Sequence, residues 1–326
     1  MIHHLFLTGL SAPQALHIPD GFLSAPVAIA GWVLTLFIVA YALRRTRDQL
    51  GERQVPLLGV LAAFIFAAQA INFPVAGGTS GHLLGGALAA IVLGPWAGVL
   101  VMTAVIGVQA LLFQDGGLLA MGWNIMNMGV LTVLTGYLAY TVLKRLLGTT
   151  QTSLLIAGVV GAWLSVEIGA VAAAVQLAVS GTSPLNIALP AMVSVHALIG
   201  IGEALITVGA LTLIARTRPD LLTQSAKTGG TTSAAWVGGG LIIALVVAVF
   251  SFAASPEPDG LERVADNHGF LGLAQDPLYN ILPDYTIPFI SNGTVSGIAA
   301  VVLGTLLVFV IALGIGRATR NPKSIS

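Results

Sequence analysis

Cysteine is absent from the 326 residues, and charge is scarce, with Asp, Glu, Lys and Arg together making up 8% of the chain. The first absence removes disulfides, thiolate metal ligands and cysteine nucleophiles at once, so any metal ligand has to be nitrogen or oxygen. The second removes a water-facing surface of ordinary extent, since soluble domains carry roughly 25% charged residues. Thirteen basic residues balance 13 acidic ones, and no basic patch suited to a nucleic acid exists. Two motifs are also missing. Without GxxxxGK[ST] the chain has no phosphate-cradling loop, which leaves ATP hydrolysis to another polypeptide. Without HExxH there is no zinc-protease signature.

What the chain does have is apolar sequence, 56% of it hydrophobic, arranged in long runs. Crossing a bilayer as a helix takes about 20 predominantly apolar residues, because each backbone amide must find its partner within the segment. Nine candidate spans follow, over 24–43, 57–74, 83–94, 95–113, 121–146, 153–180, 186–215, 235–254 and 293–316, with a break predicted at Gly94-Pro95. The basic residues sort with this count. Arg44, Arg45, Arg47, Arg53, Lys144, Arg145, Arg216, Arg218, Lys227, Arg317, Arg320 and Lys323 all fall on one side, which the positive-inside tendency makes cytoplasmic, with the N-terminus outside. Arg263 alone stays outside, in an acidic loop over 255–292 that reads as a solvated segment. The predicted fold is an all-α polytopic membrane protein: a bundle of about seven helices, then a two-helix hairpin carrying that outer loop.

The organisation expected is a leader peptide over 1–15, a membrane metal-binding domain over 16–222, a Thr-, Ser- and Gly-rich linker over 223–234, and a two-span domain over 235–326. Histidine starts the chemical reading. His17 stands just before the first span and His82 at the opening of the third, both on the outer side. Were the chain to begin at Leu16, its amine, the His17 amide nitrogen and the His17 imidazole would close fused five- and six-membered chelate rings. His82 could then fill a fourth, tetragonal corner, an all-nitrogen set that suits Ni(II) or Cu(II). The competing reading is that His17 caps a helix and His82 bonds a loop carbonyl. Around His82, Asn72, Thr79 and Ser80 are candidates for supporting hydrogen bonds. Glu167, His196 and Glu203 lie inside spans, where an ionisable group defaults to a functional hypothesis, here ion passage, subunit coupling or a polar network. Asn124 and Asn127 read as interhelical hydrogen-bonding residues. His268, in the outer loop, is expected in solvent.

These runs resemble a known family. Leu16-His-Ile-Pro-Asp-Gly-Phe, Asn72 through Gly86, Asn124-Ile-Met-Asn-Met-Gly129 and His196-Ala-Leu-Ile-Gly-Ile-Gly-Glu-Ala-Leu are similar to the CbiM/NikM substrate-capture components of energy-coupling factor transporters. Pro258-Asp-Gly-Leu-Glu262 resembles the PDGLE domain that accompanies them. The resemblance implies Ni2+ or Co2+ as transported substrate, no organic cofactor, and ligands at Leu16, His17 and His82. It also implies a membrane coupling subunit and cytoplasmic ATPase subunits as partners, in a plasma membrane. A transporter subunit rather than an enzyme is therefore expected. The alternatives are a membrane metalloenzyme using Glu167, His196 and Glu203, and an assembly subunit without a ligand.

Overall fold

A computed structural model describes residues 17–47, 50–51, 54–222 and 234–320. Leu16, the leader segment 1–15 and the linker except Ala234 lie outside the described residues. The helices are α1 (Ala25–Arg47), α2 (Gln54–Gln69), α3 (Gly86–Leu93), α4 (Pro95–Val108), α5 (Met121–Asn124), α6 (Thr132–Leu147), α7 (Gln151–Val179), α8 (Leu185–Thr217), α9 (Ala234–Val249), α10 (Gly260–Asn267) and α11 (Gly293–Thr319). Among the described residues, seven helical stretches are long and apolar enough to cross a membrane, and α2 is a shorter apolar helix. Their outer faces are apolar where they meet no other helix, as Phe37 at 73% exposure shows for α1. Such a face is stable against lipid and not against water.

Two expectations change. The span predicted over 83–94 is helical only from Gly86 to Leu93, and the span predicted over 57–74 ends as a helix at Gln69. Between them Phe73–Val75 (β1) and Thr79–Gly81 (β2) pair antiparallel, with Phe73 opposite Gly81. Pro74 cannot continue a helix, and Gly77 and Gly78 both take positive φ, which turns the chain back on itself. The predicted break between α3 and α4 is present: Gly94 has φ 87° and Pro95 opens α4.

Two spans are wound more loosely at the end that lies towards His17. Gln109–Phe113 continues α4 as a π-helical turn, and Ile125–Leu131 joins α5 to α6 as another. Such turns recur at functional sites because they redirect side chains without ending the helix. Here they bracket Asp115 and hold Asn127.

The C-terminal hairpin packs against α2 through glycine. Gly59 of α2 lies against Phe309 of α11, and Gly304 of α11 lies against the rings of Phe66 and Phe113. Small residues let helix backbones approach where lipid supplies no hydrophobic drive to association. The 255–292 loop, expected in solvent, instead lies on the bundle. Ser255 N donates to Asn72 O at 2.8 Å, Ser80 N to Pro258 O at 2.8 Å, Gln275 N to Asp20 O at 2.8 Å and Leu282 N to Leu112 O at 3.0 Å. The reason is backbone supply: β2 and the irregular 17–24 segment present unpaired amides and carbonyls that the loop satisfies.

The Gly304 contact is testable. Gly304→Val forces a branched side chain onto Phe66 and Phe113, an overpacking cost of about 1–3 kcal/mol. The purified protein should show a lower unfolding temperature in a thermal scan; an unchanged temperature would mean that the hairpin does not pack as described.

Candidate metal centre

Two irregular segments meet at one end of the bundle, and each carries a histidine. The first is 17–24. Ile18 N donates to Asn124 Oδ1 at 3.1 Å, and Asn124 Nδ2 donates to Ile18 O at 3.0 Å, a two-point clasp that replaces a strand partner. Asp20 Oδ1 accepts from Leu119 N at 2.8 Å and Ala120 N at 3.0 Å. Asn124 thus clasps the N-terminal segment instead of joining two helices as the sequence suggested. Asn127 does join helices, exchanging reciprocal amide bonds with Gln176 of α7 at 2.8 and 2.7 Å.

The second segment is 82–85. Its amides at Leu84 and Gly85 donate to the two carboxylate oxygens of Glu203 on α8, the Gly85 bond being 2.9 Å, and Leu84 O accepts from Gln69 Nε2 at 2.7 Å. Gly85 has φ 81°, and a Cβ there would run into Ile65. Glu203, fully buried, is therefore what holds the His82 segment in place.

Between the segments the two rings face each other. Their centroids are 5.9 Å apart with an interplanar angle of 84°, at 2% exposure for His17 and 7% for His82. Two imidazoles sharing one ion through nitrogens at about 2.0–2.1 Å have centroids roughly 4.5–6.5 Å apart, so this pair can share an ion with little movement. His17 Nδ1 lies 3.0 Å from Asp115 O and 3.0 Å from Asp115 Oδ1. His82 Nδ1 lies 2.9 Å from Leu83 O, and His196 Nδ1 lies 2.7 Å from Met192 O. A carbonyl oxygen only accepts, so in all three rings Nδ1 carries a proton. His17 Nε2 is buried without a hydrogen-bond partner. A chelate running through the His17 amide closes a six-membered ring only at Nδ1, so the fused chelate drawn from sequence requires this ring to turn over.

Electrostatics bind the pair further. Burial works to lower the His17 value, but the Asp115 carboxylate outweighs it and the net shift is upward. Burial works to raise Asp115, but His17 and the hydrogen bonds from His17 and Tyr285 outweigh it and the net shift is downward. Burial also pushes Asp259 up to about 7.

A cavity of about 70 Å³ lies beside the two rings, lined by His17, His82, His196, Asn124, Asn127 and Asp259 among others. Among the described residues, no three His, Asp or Glu side chains stand ready to hold one metal ion. Asn72, Thr79 and Ser80 do not line the cavity. Ser80 Oγ donates to Glu257 O at 2.7 Å and Asn72 O accepts from Ser255 N, so they serve the docked loop. Glu167 is buried on α7 outside this cavity, and His268 is exposed as expected. Asp115 and Tyr285 escaped the sequence reading. The one available signal was a lone acid after an apolar span, followed by Gly116-Gly117.

Comparison with known proteins decides the family. Residues 17–221 match the family described as the cobalt uptake substrate-specific transmembrane region, CbiM, and residues 234–321 match the PDGLE domain. The chain belongs to the CbiM family. A putative fused nickel transport protein NikMN of Archaeoglobus fulgidus is 37% identical over 311 residues, covering 94% of this chain and 100% of its own. The fused nickel transport protein NikMN of Rhodobacter capsulatus is 26% identical, over 94% of this chain and 98% of its own. A crystal structure of a transition metal transporter superposes with a TM-score of 0.58 at 29% identity, over 66% of this chain and all of its own. This CbiM-family protein is accordingly a multi-pass membrane component of nickel and cobalt transport, and its likeness to fused relatives spans both domains.

The role of Glu203 in this CbiM-family protein is checked by Glu203→Gln. The amide places a donor where two backbone donors converge, and a buried unpaired group costs about 1–3 kcal/mol. Reduced thermal stability is expected together with weaker metal binding; retention of both would show that the 82–85 segment does not depend on Glu203.

Proposed function

We propose that this chain is the substrate-binding membrane subunit of an ATP-driven importer of the energy-coupling factor type, which captures Ni2+ or Co2+ at an outward-facing nitrogen site. The observation that carries the reading is the facing of His17 and His82, buried together at the mouth of the bundle with His17 Nε2 lacking a partner. Imidazole nitrogen suits both ions, and a site without thiolate or clustered carboxylate disfavours the softer and harder competitors. Leu16 enters the proposal as a further donor, through its amine and the following amide, for a His17 ring turned to present Nδ1.

The inward route is proposed to run past His196, which lines the same cavity. Since the chain lacks a phosphate-binding loop, the work of ATP hydrolysis is assigned to separate subunits that act through a membrane coupling subunit. Names of related transport proteins support transport itself; the energy source and direction rest on the family resemblance. The basic residues that end α1, α6, α8 and α11 support a cytoplasmic C-terminus and an outer N-terminus in the plasma membrane.

Binding is tested by titrating Ni2+ and Co2+ into the purified protein. His17→Ala and His82→Ala should each abolish tight binding, whereas His268→Ala should leave it unchanged; equal effects of all three would remove the site. Sidedness is tested on the naturally cysteine-free chain. A membrane-impermeant thiol reagent applied to intact cells should label Gly272→Cys in the outer loop and spare Thr149→Cys between α6 and α7, and the reverse pattern would invert the proposed orientation.

A further inference from the structure

A second cavity, of about 570 Å³, lies between the two domains. The 17–22 and 110–118 stretches form one wall, and the loop between α9 and α11 forms the other. The loop is tied across it at two places: Gln275 N donates to Asp20 O at 2.8 Å, and the Tyr279 hydroxyl donates to Leu111 O at 2.8 Å. His17 lines both this cavity and the 70 Å³ cavity that holds His82, so its ring stands as a partition between them. The buried Nε2 of that ring has no hydrogen-bond partner. Four acidic residues line the larger cavity, Asp20, Glu262, Asp276 and Asp284, and no Lys or Arg does. Arg263, the only Lys or Arg of the loop, is turned to the β hairpin, where it bonds Gly78 O and Glu257. Asp20 and Glu262 are committed to the amides of Leu119, Ala120 and Asp259. Among the described residues, Asp276 and Asp284 accept no hydrogen bond and form no ion pair.

Charge and size both bear on what this cavity takes. The Asp284 carboxyl is raised from its ordinary value, by burial first and then by the charge of Asp115, so it already feels the negative group beside His17. A cation relieves that repulsion, and an anion deepens it. A divalent ion with a shell of about six waters occupies roughly 180 Å³, at about 30 Å³ for each water. The larger cavity holds it whole, whereas the 70 Å³ cavity admits it only after most of that shell is lost. We infer that the cavity between the domains is the ion's entrance, a vestibule where Asp276 and Asp284 draw in a hydrated divalent cation before it sheds water and passes His17 to the nitrogen site. The inference rests on the metal-binding reading above and adds a route to it, and it holds whichever ring nitrogen finally binds the ion. A mouth lined by one sign of charge raises the local concentration of counter-ions and the rate of encounter. The two-span domain thus has a role that needs no ligand of its own: it supplies one wall of the entrance and both of its unpaired carboxylates.

The test follows Ni2+ binding to the full purified chain by stopped-flow mixing. The double variant Asp276→Asn/Asp284→Asn removes both charges and keeps the side-chain shapes, and asparagine tolerates the left-handed backbone at position 284, where φ is 49°. Association should slow by about tenfold at low ionic strength, the lower end of the range for charge-focused encounter, and the difference should shrink as salt is raised. Ni2+ should still bind at equilibrium, because the nitrogen site is intact. Obstruction is tested separately with Asn280→Cys, coupled in this cysteine-free chain to a bulky uncharged maleimide. The adduct should slow association and dissociation alike and leave the affinity unchanged, while the same adduct on Thr149→Cys changes neither rate. Wild-type association in the double variant at low salt or in the Asn280→Cys adduct, or loss of all binding in the double variant, would overturn the vestibule. Wild-type binding by His17→Ala would instead remove the metal-site reading on which the vestibule stands.

Discussion

Non-helical backbone buried against a helix bundle is stable only if each amide and carbonyl finds a partner inside the protein. Both histidine-bearing segments live under this constraint, and the rest of the architecture follows from how it is met. Asn124 clasps both polar groups of Ile18, and Glu203 receives the amides of Leu84 and Gly85. Each solution takes one polar side chain from a helix and aims it at the backbone of a strand-like segment. The consequence is a pair of imidazoles held on irregular chain yet positioned as firmly as side chains on a helix.

The same constraint explains why the two domains are joined so closely. The β hairpin and the 17–24 segment leave backbone groups at the end of the bundle, and the loop between α9 and α11 pairs with them. The motif Pro258-Asp-Gly-Leu-Glu262 has a local reason: Asp259 and Glu262 close a capping box at the start of α10. Gly260 has a packing reason, since a Cβ there would press on Ile199 and His196 of α8. The motif therefore starts a helix and lets it sit directly over the cavity, and Tyr285, further along the same loop, reaches Asp115 beside His17.

Much of this was legible in the sequence. Hydropathy and the sorting of basic residues marked the spans, and Gly94-Pro95 marked the break between α3 and α4, because both rest on local chemistry. The pairing of His17 with His82 was proposed from residue type and resemblance, and the structure brings the two rings together. The docking of the 255–292 loop was not legible: its charges resemble those of a solvated segment, and much of what holds it is backbone hydrogen bonding, which leaves no trace in residue type. Asp115 was missed because one carboxylate beyond a span looks like the end of a helix; only its partners, 98 and 170 residues away, give it meaning. Thr79 and Ser80 looked like metal-site support for the opposite reason. They are close to His82 in sequence, but Ser80 bonds the loop through both its amide and its hydroxyl.

The central claim is that one ion sits between His17 and His82. The most direct measurement is a structure of the Ni2+-loaded protein with anomalous scattering collected at the nickel edge. The account predicts a single strong peak about 2.0–2.1 Å from a ring nitrogen of each histidine. A fully occupied ion bound elsewhere, with both imidazoles uncoordinated, would contradict it.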